Sequence, residues 1–350
     1  MKRLPVVLLW VLFLAPCTSL AAAPEGGELE RFESTQREMG VPFKIILYVR
    51  DQTAANRAFQ AAFSRISELN QVLSDYDDQS ELSRLTRTAP SPKPVPVSDP
   101  LWLVLERSQQ LAEQTDGAFD VTVGPYVRLW RRARRSKEMP SAERLAEARA
   151  AVGYRFLRLD PEHHMAQLLR PHMRLDLGGI AMGYAVDETL KRLRELGITR
   201  ALVDASGDIG VGDPPPGKAG WTIAVVPLSH EGTPTKQILL ANAAVSTAGD
   251  AFQHVVILGQ RYSHIVDPHT GLGMTDRVGV TVVAADCLTA DGLDTAVAAL
   301  GPARGLELVE KTPGAAAFLV RPREEGEPEV FESSRFARYV IPSEPQPIEK

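Results

Sequence analysis

The chain has 350 residues, 44% hydrophobic and 24% charged, which is enough for one large or two medium globular domains with a sizeable core. A formal net charge of −5 gives no basis for nucleic acid or an acidic membrane surface as a partner. Two cysteines, Cys17 and Cys287, exclude a disulfide scaffold and a Cys/His zinc arrangement.

In chain order, Lys2 and Arg3 precede PVVLLWVLFLAP, a run too short to span a bilayer comfortably, and the small residues of TSLAAAPEGG follow. Residues 1–23 therefore read as a signal peptide cleaved near 21–23 in preference to a retained anchor helix, and the protein is expected to be exported. LAPC resembles a bacterial lipoprotein box, with Pro16 as a departure, so two outcomes stand open: a freely soluble periplasmic protein and one lipid-anchored to a membrane through Cys17.

EGGELERFESTQ reads as an exposed lead-in, and KIILYVR (44–50) alternates like a strand. Ala55, Phe59, Phe63, Ile66, Leu69 and Leu73 recur at helical spacing across 54–73. The proline-rich connector 88–100 ends in Asp99-Pro100, which caps a helix running to about Gln114. The basic run RLWRRARR (128–135) reads as a solvated helix face rather than a polyanion site. A helix over 141–151, a strand at YRFLRLD and a strand at MRLDL (173–177) come next. Gly178 and Gly179 form a turn, and IAMGYAVDETLKRLREL is a helix stopped by Gly197. ALVDASG, WTIAVVP, KQILLAN, HVVILGQ, GVTVVAAD and AAFLVRP supply strands, while TADGLDTAVAALG is a helix with Gly301 just past its end. Strands outnumber crossover helices and often follow one another directly, which predicts an α+β fold with largely antiparallel sheets and packed helices. Residues 30–340 are expected to form one domain, with two subdomains as the finer alternative, and 341–350 a loose tail.

Asp291, Asp294 and Thr295 stand at i, i+3 and i+4, on one face of their helix, while Leu293, Val297 and Leu300 mark an apolar face. Two carboxylates and a hydroxyl suit a hard cation such as Mg²⁺; acids near a helix start that favour the macrodipole are an equal alternative. The glycines of LDLGGIAMGYAVD follow a strand and precede a helix, where backbone can approach a phosphate, but neither a dinucleotide fingerprint nor a Walker loop is present. In GAFDVTVGP, Phe119 and Asp120 suit a planar ligand, although a buried Phe and a turn Asp are the commoner case. SHIVDPHTG packs His264, Asp267 and His269 together, but Asp267-Pro268 and Thr270-Gly271 are turn chemistry. His264 is accordingly read as a ligand-contacting or proton-transferring residue at the end of a strand, with a structural histidine as the alternative.

The ordered set EMGVPFKI, SDYDDQSELSRL, GAFDVTVGPYVRLW, LDLGGIAMGYAVD, SGDIGVG, STAGDAF, SHIVDPHTG and ADGLDTAVAALG resembles the ApbE family of FAD:protein FMN transferases, from Met39 to about Gly301. The resemblance implies a flavin-binding α+β enzyme that uses Mg²⁺ to split FAD. It would pass FMN as a phosphoester to a threonine hydroxyl of an acceptor protein, such as a flavinylated respiratory or redox subunit, and release AMP. Positions matching the family's metal site are Asp291, Thr295 and the backbone carbonyl near Gly179, with Asp294 adjacent. Positions matching FAD contacts are Met39, Tyr76, Ala118, Phe119, Asp120, Asp176, Met182, His264 and Ile265, and His264 would take the proton from the acceptor threonine.

Four positions depart from the family's pattern. Met182 stands where Lys is common and Glu also occurs, Ala248 replaces Ser in a T-S-G-D pattern, Ser206 replaces the first Gly of G-G-D, and Thr86 replaces a common Asn. They bear on rate and affinity more than on reaction class. The alternatives they leave are an FAD pyrophosphatase with water as acceptor and an exported FAD-binding protein whose transfer activity has lapsed.

Overall fold

The computed structural model describes residues 28–225, 236–249, 254–323 and 325–342. The signal segment 1–23 and most of the expected tail lie outside the described residues.

The chain begins with a hairpin of β1 (Glu30–Glu38) and β2 (Val41–Val49), then the long helix α1 (Gln52–Leu73) and short α2 (Glu81–Thr86). Next come β3 (Val95–Pro96), α3 (Asp99–Gln114), α4 (Gly124–Ser136) and α5 (Ala142–Ala150). The small strands β4 (Leu157–Asp160) and β5 (Met165–Leu168) precede α6 (Ala181–Glu195). The rest of the chain is strand-rich: β6 (Ala201–Ala205), β7 (Asp208–Val211), β8 (Trp221–Val225), β9 (Lys236–Leu240) and β10 (Ala243–Ala248). It ends in β11 (His254–Ile257), β12 (Gln260–Ser263), β13 (Gly279–Ala284), α7 (Cys287–Lys311), β14 (Ala316–Arg321) and β15 (Glu329–Glu332).

Eight strands form one sheet in the order β1-β2-β6-β7-β10-β13-β14-β15, and every neighbouring pair runs antiparallel. This is the expected α+β architecture. Alternation along β2 divides the layers: Phe43, Ile45, Leu47 and Val49 face the large core with α1, α6 and α7, while Ile46 and Tyr48 face the opposite cluster with β8 and β9. β13 is buried along its whole length, which explains its unbroken apolar run. A third cluster seats the β11–β12 hairpin on Tyr126, Trp130 and Ala133 of α4.

Several sequence expectations need correction. The lead-in ERFESTQ is strand β1, an edge strand whose outer row is solvated, so its polar composition hides its pairing with β2. MRLDL is not a sheet strand: Arg174 makes one parallel bridge to Val123, Asp176 N–H donates to Val121 O at 2.8 Å, and Leu175 N–H points to Thr86 Oγ1. Tyr154–Phe156 is a 3₁₀ turn before β4, and Ser98, not Asp99, is the N-cap of α3. The start of the expected tail is tied down, because Ile341 N–H donates to Gln237 O at 2.8 Å.

Helices α6 and α7 cross almost in backbone contact. A Cβ on Gly183 would lie 2.2 Å from Cys287 O, so only glycine permits the approach. Across it, Gly183 N–H donates to Asp291 (2.8 Å), and Asp187 accepts from the N–H groups of Cys287 (2.8 Å) and Leu288 (2.9 Å). Asp187 thus satisfies two of the orphan donors at the start of α7, beside the N-cap Asp286. Gly183→Ala is expected to lower stability by about 3 kcal/mol in urea unfolding, because backbone must move. Gly197→Ala, at φ +77 with open space around it, should cost only about 1 kcal/mol.

Candidate functional site

Strand pairing gathers the site at one end of the main sheet. Phe43 pairs with Ala205 and Val245 with Ile209, so the β1–β2 turn carrying Met39, the β6–β7 turn carrying Ser206, and the end of β10 share that end. Met39 and Ser206 both adopt left-handed backbone (φ 48 and 59), which shows why glycine suits the position Ser206 holds.

The first group of residues there is an oxygen cluster. Asp291 and Asp294 are 4% and 2% exposed, so the face they share is buried and not a solvated acidic one. They also lie beyond the first turn of α7, whose start is Cys287; the macrodipole alternative is therefore overturned. Ser246 Oγ touches both Asp208 and Asp294, and Thr295 Oγ1 lies 3.3 Å from Asp294. Gly179 backs onto Thr295 so closely that a Cβ would come within 2.8 Å of its hydroxyl oxygen. A single serine hydroxyl can donate to only one of these two carboxylates, so a proton on the other would complete the contact. The energetics agree: burial first, then the charge of Asp208, raises Asp291 and Asp294 well above the carboxylate range. Burial and the charge of Asp204 push Asp208 up to about 6.

These residues fit a hard cation by donor chemistry, being oxygen groups whose negative charge is not offset within the fold. Among the described residues no three His, Cys, Asp or Glu side chains form a metal-binding group, so hydroxyl and backbone oxygens such as those of Thr295 and Gly179 would have to complete the set.

The second group centres on Arg131. Its guanidinium bridges Asp75 and Asp176, the latter at 2.8 Å, and lies 4.1 Å from the centre of the exposed Tyr76 ring. Burial and the charge of Asp75 raise Asp176 despite the arginine, and Asp176 also accepts from Gly178 N–H at 2.9 Å. The reading of 128–135 as a solvated face thus fails at Arg131, although Arg128, Arg132 and Arg135 are exposed.

The third group joins the Ala118–Asp120 loop to the turn after His264. Phe119 is part of the large core, and Asp120 is buried, accepting from Thr122 N–H and Oγ1 (both 2.7 Å) and from Tyr154 N–H (2.7 Å). Burial still raises Asp120 above its ordinary range. Both side chains are engaged within the fold, and the N–H groups of Ala118 and Phe119 donate to Thr115 O (3.2 Å) and Thr115 Oγ1 (3.1 Å), so a ligand there would meet their carbonyls. Trp130 Nε1 donates to Gly271 O at 2.8 Å, and Tyr126 packs on Gly271. β12 ends at Ser263, so half-buried His264 sits in a bend and not on the strand. Ile265 follows, hydrogen-bonded to Ser263 and Met274, and Met182 packs on the core from the first turn of α6.

Asp75, Asp208 and Ser246 were inside recognised stretches without a role, and Arg131 adjoined one; only long-range pairing reveals what they do.

Fold and site define an α+β protein with a buried all-oxygen cluster and an arginine-bridged acidic pair near one end of an antiparallel sheet. The ApbE family profile matches residues 39–319, and the chain belongs to that family. It is 30% identical over 322 residues to the FAD:protein FMN transferase of Haemophilus influenzae, covering 89% of this chain and 92% of the relative. The protein of that name from Vibrio cholerae is 31% identical over 306 residues, 86% of this chain and 90% of the relative. The crystal structure of Pseudomonas stutzeri flavinyl transferase ApbE superposes with a TM-score of 0.78 at 30% identity, covering 89% of this chain and 97% of that one.

Two outcomes test this electrostatic account. A carboxyl raised on folding contributes stability that is complete below about 4 and is lost as pH rises through its folded value. In EDTA, Tm should therefore fall by roughly 5 °C between pH 5 and 7.5, and Mg²⁺ should reverse the fall at the upper end, as read by scanning calorimetry. Arg131→Met should cost about 3 kcal/mol in urea melts by stranding Asp75 and Asp176, and Asp176→Asn in that background should recover part of it.

Proposed function

We propose that this chain is an enzyme that transfers FMN from FAD to a threonine hydroxyl of an acceptor protein and releases AMP. The observation that carries the reading is the buried oxygen cluster of Asp291, Asp294, Thr295 and Gly179, in a chain whose relatives over most of its length bear the name FAD:protein FMN transferase. In the reaction the bond between the flavin-side phosphorus and the bridging oxygen of FAD breaks. A bond from that phosphorus to the threonine Oγ forms, and AMP leaves with the bridging oxygen.

Asp291, Asp294, Thr295 and the backbone at Gly179 would hold Mg²⁺, which when bound supplies positive charge to the pyrophosphate as negative charge builds on the leaving oxygen. Arg131 fixes Asp176 and Tyr76 as one preformed wall for the flavin nucleotide. The backbone at Ala118 and Phe119, the Met39 turn, Met182 and Ile265 complete its surroundings. His264 accepts the proton of the attacking threonine, a role that suits an imidazole near neutral pH. Residues 1–23 direct export to the periplasm; a lipoprotein signal ending before Cys17, in place of cleavage near 21–23, would leave a lipid on that cysteine and hold the enzyme at the membrane.

The test incubates residues 24–350 with FAD, Mg²⁺ and the soluble domain of a threonine-flavinylated respiratory subunit, following acceptor mass and AMP together. The expected result is a mass gain of one FMN with equimolar AMP, both abolished by EDTA. Asp291→Ala should slow transfer at least about a hundredfold, the scale of losing one charge-stabilising contact. Transfer by that variant at the wild-type rate would remove the cluster from the mechanism, and AMP with free FMN alone would make the enzyme a pyrophosphatase.

A further inference from the structure

Asp291 and Asp294 are each tied to the fold through one oxygen, and by different parts of it. Asp291 Oδ2 accepts from Gly183 N–H in the first turn of α6 (2.8 Å). Asp294 Oδ2 is met by Ser246 Oγ of β10. Among the described residues, Ser246 is the one side chain from outside α7 hydrogen-bonded to Asp294. The contact from within α7, Thr295 Oγ1 to Oδ1 at 3.3 Å, is long for a hydroxyl bonded to a carboxylate. Rotation of the Asp294 carboxyl group is therefore governed mainly by one hydroxyl.

That hydroxyl is rigidly mounted. Ser246 is 1% exposed, and its strand is paired on both sides, with β7 and with β13, where Ser246 lies opposite Val282. Alternation puts Ser246 on the same face as Ala244, which belongs to the large core that includes α7. Ser246 Oγ also contacts Asp208 on β7, so the oxygen is held from a second direction. Asp291 thus takes its orientation from the helix crossing, and Asp294 takes its own from the sheet.

We infer that Ser246 is a positioning residue for cation binding: by holding Asp294 Oδ2, it keeps Oδ1 on the side of Thr295 and Gly179. The inference rests on the proposed reading of Asp291, Asp294, Thr295 and Gly179 as the groups that hold Mg²⁺. Ser246 acts through Asp294 and not on the reacting atoms. Without the hydroxyl, Asp294 keeps its oxygens but loses their aim, and part of the binding free energy goes into restoring it. Loss of such an outer partner typically weakens metal affinity by about tenfold or more.

The experiment titrates Mg²⁺ into residues 24–350 by isothermal calorimetry without FAD, so the readout does not depend on turnover. Ser246→Ala should raise the Mg²⁺ Kd about tenfold. Ser246→Thr, which keeps the hydroxyl on a side chain suited to a strand, should recover most of that loss. Ser246→Cys, close in size but only a weak donor, should shift Kd the same way as alanine and serves if the alanine variant does not fold. Thr281→Val is the matched control, because Thr281 is a fully buried hydroxyl on β13 bonded to Thr247 at 3.0 Å. It should lower Tm yet leave the Mg²⁺ Kd within about twofold. At saturating Mg²⁺, Ser246→Ala should transfer FMN with kcat within about threefold of wild type. An unchanged Kd on loss of the Ser246 hydroxyl, or an equal rise in Thr281→Val, overturns the positioning role and leaves the transferase reading intact. Absence of Mg²⁺ binding by the wild-type chain fails the metal reading itself, and the inference with it.

Discussion

The crossing of α6 over α7 is the constraint on which the rest of the site depends. Gly183 lets the two backbones meet, and the contact is closed by hydrogen bonds running in both directions, from Gly183 to Asp291 and from Cys287 and Leu288 to Asp187. Each helix thereby supplies an acceptor for the start of the other. Asp187 on α6 caps orphan donors of α7, and Asp291 on α7 takes an orphan donor of α6. One consequence is that a carboxylate is held deep in the fold with only one oxygen engaged by that bond. The other is that Gly179, immediately before α6, is pressed against Thr295. Shifting the crossing would move Asp291, Asp294, Thr295 and Gly179 together against Asp208 and Ser246 on the sheet.

Why such a cluster is tolerated is a question of balance. Burial raises Asp208, Asp291 and Asp294, and the charge of Asp208 raises the other two further. The fold meets this partly through Ser246, whose hydroxyl contacts both Asp208 and Asp294. The Asp75–Asp176 pair is handled differently: Arg131 lies between the carboxylates and satisfies both in place. One acidic group thus has its counter-charge from the protein itself, while the other has none within the fold and would take one from a bound cation. That contrast, more than the number of acids, separates a positioning element from a candidate binding centre.

Much of the fold was legible from periodicity. Helices α1, α3, α5 and α6 and the strong strands appear near their expected places because their apolar spacing and stop signals are local. The failures share a cause. β1 carries the composition of a solvated edge, so its pairing with β2 leaves almost no trace in its own residues. Residues 173–177 have strand-like alternation but give their backbone bonds to the 121–123 loop and to Thr86. In α4 the arginines dominate the composition, while Tyr126, Trp130 and Ala133 form its buried stripe and Arg131 turns into the site between the two faces.

The candidate site was legible in a different way. Asp291, Asp294 and Thr295 stood out because a helix repeat brings them onto one face without reference to anything else in the chain. Asp208 and Ser246 could not be recognised by that route, since they lie on neighbouring strands and meet α7 only through sheet order. Arg131 was hidden by its neighbours, one cation among several in a run where Arg128, Arg132 and Arg135 face solvent. A local pattern can announce that a residue has chemistry to offer. Which charge it must answer is decided by residues it meets only after folding, here 45 and 56 positions away for Arg131 and 48 for Ser246.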